Sequence, residues 1–353
     1  MIAIKKKFTL VLYFAFFMSV AFAFSIPITY SRESLDERRL GNQVLQSIWG
    51  SKSVVEDMES QIYIKELGQD LVNKSNQPKR HYDFFLLEDD SVNAFASWNG
   101  YVGIHDALVL FSDNESELAA ILAHEISHIT QEHLKRFQEK NSKQKILTVG
   151  GIIASVLVKN SELTEAIATS TIANDLQNQI NYTREHEWEA DNSAVNILVK
   201  TEFNPDGIGS FFKRMSQSSS EKSYLRTHPL NVDRVANSQL RSEKFSKSHK
   251  SSFDYETMKI RLQASDNRDI NLEDPKTDLY SKAFKFFLSK KLAKASEHVE
   301  ELLKINQDFS SLILAGRVYG ELEQVPKAEK FFESARKHRD NEVVRYFQAD
   351  VYC

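Results

Sequence analysis

The five residues His124-Glu125-Ile126-Ser127-His128 constrain this chain more than any other stretch, because their spacing makes chemical sense only on a helix. Four residues of helix rise about 6 Å and return to nearly the same side, so both imidazoles leave one face a turn apart. Two neutral imidazoles so placed can share one zinc ion, with Glu125 beside them where an attacking water would sit. The flanks favour a helix over about 115–139. Asp113 or Asn114 can cap its start, Glu115 and Glu117 fall in its first turn, and Leu118, Ile121, Leu122 and Ile129 make an apolar stripe. The plainer alternative is a surface helix that happens to carry two histidines.

A catalytic zinc needs a third protein ligand and one open position. The best source lies in Tyr182-Thr183-Arg184-Glu185-His186-Glu187-Trp188-Glu189-Ala190-Asp191. Glu187 and Asp191 share a helix face at i,i+4, and Ala194 beyond them leaves a groove that another helix could enter. Glu187 could ligate, with Asp191 orienting a ligand histidine. Spacing alone leaves open a second reading, in which this Glu-rich face is simply solvated.

With 353 residues there is room for two domains or one large one. At 41% hydrophobic and 27% charged the chain reads as globular rather than disordered. A formal charge of −4 gives no reason to expect nucleic acid or strong attraction to anionic lipid. The start reads as a leader. Lys5-Lys6-Lys7 form a basic segment, Phe8 to Val20 an apolar run, and Ala21-Phe22-Ala23 a small-residue cleavage site after Ala23. The apolar run is short for the alternative, an uncleaved anchor. Loss of three lysines and no acidic residue would take the charge from −4 to −7. An exported protein of this kind belongs in the bacterial periplasm or an equivalent compartment. Its only cysteine, Cys353, precludes an internal disulfide.

Along the chain, 31–50 and 57–75 read as amphipathic helices, Tyr82 to Leu87 as a strand, and Ser91 to Ile104 as one or two strands turned at Asn99-Gly100. The apolar run 146–158 is too short to span a bilayer and reads as a buried or membrane-touching helix, so peripheral membrane contact is an expectation. Helices follow at about 175–200 and 208–215, with a turn at Asn204-Pro205-Asp206-Gly207, and 216–252 reads as turns and exposed linker. From about 277 the pattern becomes paired helices repeating at about 34 residues. Leu312, Ala315, Gly316, Tyr319, Ala328, Phe332 and Ala335 have tetratricopeptide spacing, with an earlier copy at Leu279, Ala283, Phe286, Ala295 and Val299 and a fragment from Val343 through Tyr346 and Ala349. The expected domains are a signal peptide (1–23), a metalloprotease domain (24–268) and two repeats plus a partial third (269–353). The fold expected is α+β, mostly helical: a zincin-type HExxH domain with a small β-sheet, then an α-helical hairpin array.

An HExxH helix followed by Glu-x-Glu-Ala-Asp resembles the zinc metalloproteases that include HtpX and the CAAX prenyl proteases. Asn93-Ala94-Phe95-Ala96 with Gly100-Tyr101-Val102 is similar to that family's edge-strand segment. Arg226-Thr227-His228-Pro229, with Arg234 following, is similar to its late His-Pro motif. With a leader and C-terminal repeats, the chain resembles the periplasmic branch of the family that serves outer-membrane protein assembly, although that branch usually carries about four repeats.

The resemblance implies one zinc ion held by His124, His128 and Glu187, with Glu125 as the general base and Asp191 supporting a ligand. It implies that His228 either regulates the site by closing the open position or stabilises the oxyanion. It also implies an edge formed by Asn93, Ala94, Phe95, Gly100 and Tyr101 that grips extended polypeptide. The activity expected is endoproteolysis of unfolded or misassembled polypeptides, with the repeats docking on the outer-membrane assembly machinery. The alternative is a chaperone-like binding protein with restrained proteolysis. The remaining histidines carry plainer expectations. His133 should be solvated, His186 should face away from the metal, His105 should be structural, and His81, His249, His298 and His338 should be exposed.

Overall fold

The computed structural model describes residues 32–50, 54–140, 172–217, 223–264 and 274–352. The expected leader (1–23), the apolar run 146–158 and the expected domain boundary at 268/269 lie outside the described residues. Met1–Arg39 and Leu40–Cys353 separate into two compact units, and every expected site residue belongs to the second. Two helices, α1 (Arg32–Gly50) and α2 (Met58–Lys74), precede a three-stranded sheet of β1 (Asp83–Leu87), β2 (Ala94–Ala96) and β3 (Tyr101–His105). Strand β3 is central, parallel to β1 and antiparallel to β2. The β2–β3 connection turns through Asn99 (φ 61°) and Gly100 (φ 79°), a left-handed pair that suits a tight hairpin. A Cβ on Gly100 would lie 1.9 Å from the His81 carbonyl oxygen, so no other residue fits there.

After α3 (Asp106–Phe111) comes the helix on which the domain is organised, α4 (Glu115–Thr130). Along its length only His128 is less than fully buried. Ala119, Ala120 and Ala123 keep its girth small enough for α2, β2, α6 (Ile172–Leu198) and α7 (Gly207–Gln217) to pack around it. Asn114 caps it, accepting the Glu117 N–H at 3.1 Å, while the Glu117 carboxylate reaches back to accept the Asp113 N–H at 3.0 Å. The single helix expected over 115–139 is in fact two. Glu132 takes a left-handed φ of 55°, and α5 (His133–Lys140) starts in a new direction.

The stretch expected to be linker contains α8 (Ser223–Thr227) and α9 (Val232–Glu243). The amphipathicity of α9 is inverted, which hides it from a hydrophobic-periodicity reading. Its inward positions are Arg234, Ser238 and Ser242, whereas Val232 and Leu240 face solvent at 84% and 62% exposure. The polar face is satisfied by carboxylates: Ser242 donates to Asp206 at 3.0 Å, and Arg234 pairs with Asp191.

Helix α10 (Phe253–Ala264) leads to α11 (Pro275–Leu288), α12 (Leu292–Ile305), α13 (Phe309–Glu321), α14 (Val325–His338) and α15 (Glu342–Asp350). The hairpins α11–α12 and α13–α14 turn alike, each through a left-handed residue, Lys290 or Glu323. In each the following amide, Lys291 or Gln324, donates 2.9 Å back to Phe286 or Tyr319. All seven positions expected to pack in the second hairpin are buried. Gly316 admits the Phe332 ring, which a Cβ would approach to 2.5 Å. In α15 the buried residues are Val343, Val344 and Phe347, while Tyr346 is exposed.

A buried ionic network joins these hairpins to the sheet-bearing region. Arg261 on α10 donates to Asp57 at 2.9 Å and to the Tyr280 hydroxyl at 3.0 Å, and lies 3.4 Å from Glu59. Arg317 on α13 reaches Glu59 at 2.9 Å and is stacked between the Phe287 and Phe347 rings. Removing one partner from such a network leaves a buried charge uncompensated. Arg261→Met is therefore expected to cost about 3–5 kcal/mol, measured as a shift in chemical unfolding. A loss below about 1 kcal/mol would mean water replaces the guanidinium at little cost.

Candidate metal centre

The site forms where α4, α6 and the α8–α9 segment converge. His124 and His128 leave one face of α4, with their Nε2 atoms 3.0 Å apart. Helix α6 brings the Glu187 carboxylate to 3.3 Å from both of those nitrogens. His228, just after α8, places its Nδ1 3.2 Å from both Glu187 oxygens and 3.4 Å from His124 Nε2. One ligand atom from each of these four residues lies within 4.8 Å of the other three. Zinc bonds of about 2.0–2.1 Å imply tetrahedral edges of about 3.4 Å, close to these separations.

The chemistry of the donor set fits a cation as well. Three imidazole nitrogens and a carboxylate converge on one buried spot, a donor set of the kind that holds a divalent ion such as zinc. Both Glu125 oxygens are fully buried with no close hydrogen-bond partner among the described residues; the Ala96 backbone lies beside the carboxylate, and His228 Nε2 is 3.4 Å away. Burial pushes the Glu125 carboxyl up, with His228 and His124 opposing. A carboxylate kept this dry is poised to exchange a proton with whatever occupies the space before it.

Outer contacts orient the ring of this cluster. Asp191 Oδ1 lies 2.9 Å from His124 Nδ1, leaving Nε2 to face the cluster. Burial opposes charging His124, but Asp191 and Glu187 prevail and raise it to about 9. Burial holds His128 well below its ordinary range. Arg234 pairs with Asp191 through Nε at 2.6 Å and Nη2 at 2.9 Å, while its Nη1 lies 2.8 Å from Glu187. Burial raises Glu187 and Asp191, yet Arg234 holds both below the usual carboxylate range. Tyr224 stacks on the His228 ring with centroids 4.5 Å apart.

Of the expected site residues, His124, Glu125, His128, Glu187, Asp191 and His228 come together. Strand β2, carrying Ala94 and Phe95 with Asn93 just before it, is an edge strand packed against α4. The Asn93 amide is buried with no partner among the described residues. Gly100 and Tyr101, expected on that edge, are not there. Gly100 closes the hairpin and Tyr101 opens the central strand, whose two sides are already paired.

Of the other histidines, His133, His249 and His298 differ from expectation, while His186 and His105 do not. His133 is buried, not solvated: the break at Glu132 turns it under His128, with their Nδ1 atoms 2.9 Å apart. His186 is buried and stacks on His133, away from the four-residue cluster. Burial holds each of these two rings down to about 4. His249, expected in solvent, packs at 3.2 Å from Glu115, and His298 is half-buried. His105 is buried beside Ser91, as befits a structural role.

Arg234, Tyr224 and His133 are the residues to which sequence reasoning gave no role at the site. The signal available for Arg234 was electrostatic: two carboxylates a turn apart and facing inward require a buried cation.

The sequence profile of Peptidase family M48 matches residues 59–242, which span α2 to α9 and include the whole cluster. Over 212 residues the chain is 35% identical to the beta-barrel assembly-enhancing protease of Escherichia coli (strain K12), covering 58% of this chain and 44% of that one. The protein of the same name from Yersinia pestis is 33% identical over 247 residues, 68% of this chain and 51% of that one. Metalloprotease LoiP of Escherichia coli is 24% identical over 214 residues, 58% and 80% of the respective chains. The chain spans about half the length of the beta-barrel assembly-enhancing proteases it matches. Asp191→Ala is expected to weaken zinc binding about 10–100-fold, read by competition with a chromophoric chelator. Unchanged affinity would remove Asp191 from the ligand's support.

Proposed function

We propose that this chain, which belongs to peptidase family M48, is a periplasmic zinc-dependent endopeptidase that degrades misassembled outer-membrane proteins and assists their assembly. The observation that carries the reading is the convergence of His124, His128 and Glu187 beside the dry, unpartnered carboxylate of Glu125. A structural zinc site has no use for such a carboxylate. In this reading those three residues hold one Zn²⁺, which when bound polarises the substrate carbonyl and acidifies water. Glu125 takes the proton from the attacking water and passes it to the leaving amine. Asp191 and Arg234 keep the His124 ring and the Glu187 carboxylate in place.

Substrate enters as an extended strand along β2, bonded through its main chain and so chosen for being unfolded rather than for a sequence. The buried, unsatisfied Asn93 amide at this edge supports a role in holding that strand. The leader at 1–23, a protease domain at 24–268 and tetratricopeptide repeats from 269 complete the proposed organisation. The repeats dock on the outer-membrane assembly machinery, a role suggested by the name of the relatives. The like-turned hairpins α11–α12 and α13–α14 support the repeat reading.

The position of His228 favours restraint. Its Nδ1 sits among the other three donors, so in this state it takes the place a substrate carbonyl or water would need. That supports a protease held shut until a client or partner draws the ring away, with a chaperone-like binding role in between.

Two experiments test the reading. Glu125→Gln should retain bound zinc while cleavage of casein falls about 10²–10⁴-fold, and a chelator should abolish wild-type cleavage until zinc is restored. Full cleavage by Glu125→Gln would remove the assigned base. His228→Ala should raise casein turnover if the ring restrains the site; a fall instead assigns it to oxyanion stabilisation.

A further inference from the structure

We propose that His133 is a positioning residue that fixes the metal-facing tautomer of His128, and that Glu189 anchors it, forming a relay His128–His133–Glu189. The inference rests on the reading above that His128 binds zinc through Nε2. The contacts form an unbroken line. His128 Nδ1 lies 2.9 Å from His133 Nδ1, and His133 Nε2 lies 3.1 Å from Glu189 Oε2. Arg136 fastens the far end, its Nη1 2.5 Å from the same carboxylate oxygen. His186 stacks flat on His133, with centroids 4.2 Å apart and planes within 7°, so the middle ring is held in its plane.

Each proton in this line has one place to be. Glu189, ion-paired with Arg136, can only accept, so a neutral His133 carries its proton on Nε2 and presents a bare Nδ1. A bare Nδ1 beside His128 requires that His128 carry its proton on Nδ1. The Nε2 lone pair of His128 is then free and points at the cluster, 3.0 Å from His124 Nε2 and 3.3 Å from Glu187. The opposite tautomer would aim an N–H at the metal position. On the other ring, Asp191 Oδ1 occupies the corresponding place, 2.9 Å from His124 Nδ1.

The backbone explains why a histidine five residues on can reach. On a continuous helix it would point about 140° away. The left-handed Glu132 breaks the helix and returns His133 beneath His128. The relay also gives the second carboxylate of Glu187-Trp188-Glu189 a task distinct from that of the first.

The test measures zinc affinity of the full chain by chelator competition, together with the histidine tautomers by ¹⁵N NMR. His133→Phe keeps a flat ring against His186 and removes both nitrogens. Zinc affinity should fall about 10–100-fold while the unfolding midpoint of the zinc-free protein stays within error. Glu189→Gln, which still accepts from Nε2, should keep its affinity, whereas the similarly sized Glu189→Leu should lose it. In the wild type the spectra should place a proton on His128 Nδ1 and on His133 Nε2, a result that does not depend on any variant folding. Zinc affinity of His133→Phe within about twofold of wild type, equal affinities for the Gln and Leu variants, or a proton on His133 Nδ1 would overturn the relay. A wild-type chain that binds no zinc would instead sink the metal reading beneath it.

Discussion

A single buried guanidinium makes the rest of the site physically tolerable. Glu187 and Asp191 sit one helical turn apart at 2% and 5% exposure, and two ionised carboxylates so placed would ordinarily be neutralised or expelled to water. Arg234 meets both with charge and geometry together, binding Asp191 through two nitrogens and Glu187 through a third. A lysine, with one point of charge, could not span the pair in this way. The guanidinium face also lies over the Phe212 ring, so its apolar side is packed as well. The carboxylates remain ionised because α9 delivers this one side chain.

This dependence explains what was legible in the sequence and what was not. The HExxH turn, the Glu187–Asp191 pair and the hairpin at Asn99-Gly100 are local patterns whose geometry follows from helix and turn periodicity alone. Helix α9 was illegible because its inward face is Arg234, Ser238 and Ser242, so hydrophobicity points the wrong way. Its inward face is polar because its buried positions meet the carboxylates of Asp191 and Asp206. His133 was misjudged for a related reason. Helical periodicity sends it toward solvent, and only a left-handed residue at Glu132, with no glycine to announce it, brings it back. The family resemblance puts Gly100 and Tyr101 on an edge, but pairing order is a long-range property that a short motif does not carry.

The C-terminal hairpins are bound to the sheet-bearing region by charge as well as by apolar packing. Arg261 and Arg317 both converge on Glu59, at the first turn of α2, and α2 in turn packs on α4. The Glu115 carboxylate at the start of α4 accepts from Tyr63 of α2 at 2.5 Å and from Ser252 just before α10 at 2.8 Å. Helices α2, α4 and α10 are thus stitched at one end of the metal-bearing helix, and α13 joins them through Arg317.

The edge strand beside α4 is only three residues long, which sets a scale for how firmly anything can be held there. Three residues cover about 10 Å of extended chain, room for two or three peptide groups. On the proposed reading, a grip that brief would release quickly and so would sample clients by how long they stay unfolded. A polypeptide that folded promptly would leave before hydrolysis began, while a stalled one would return to the edge again and again. In the proposed function, discrimination between healthy and failing clients then needs no recognition sequence: it is a clock, and its period is set by the shortness of β2.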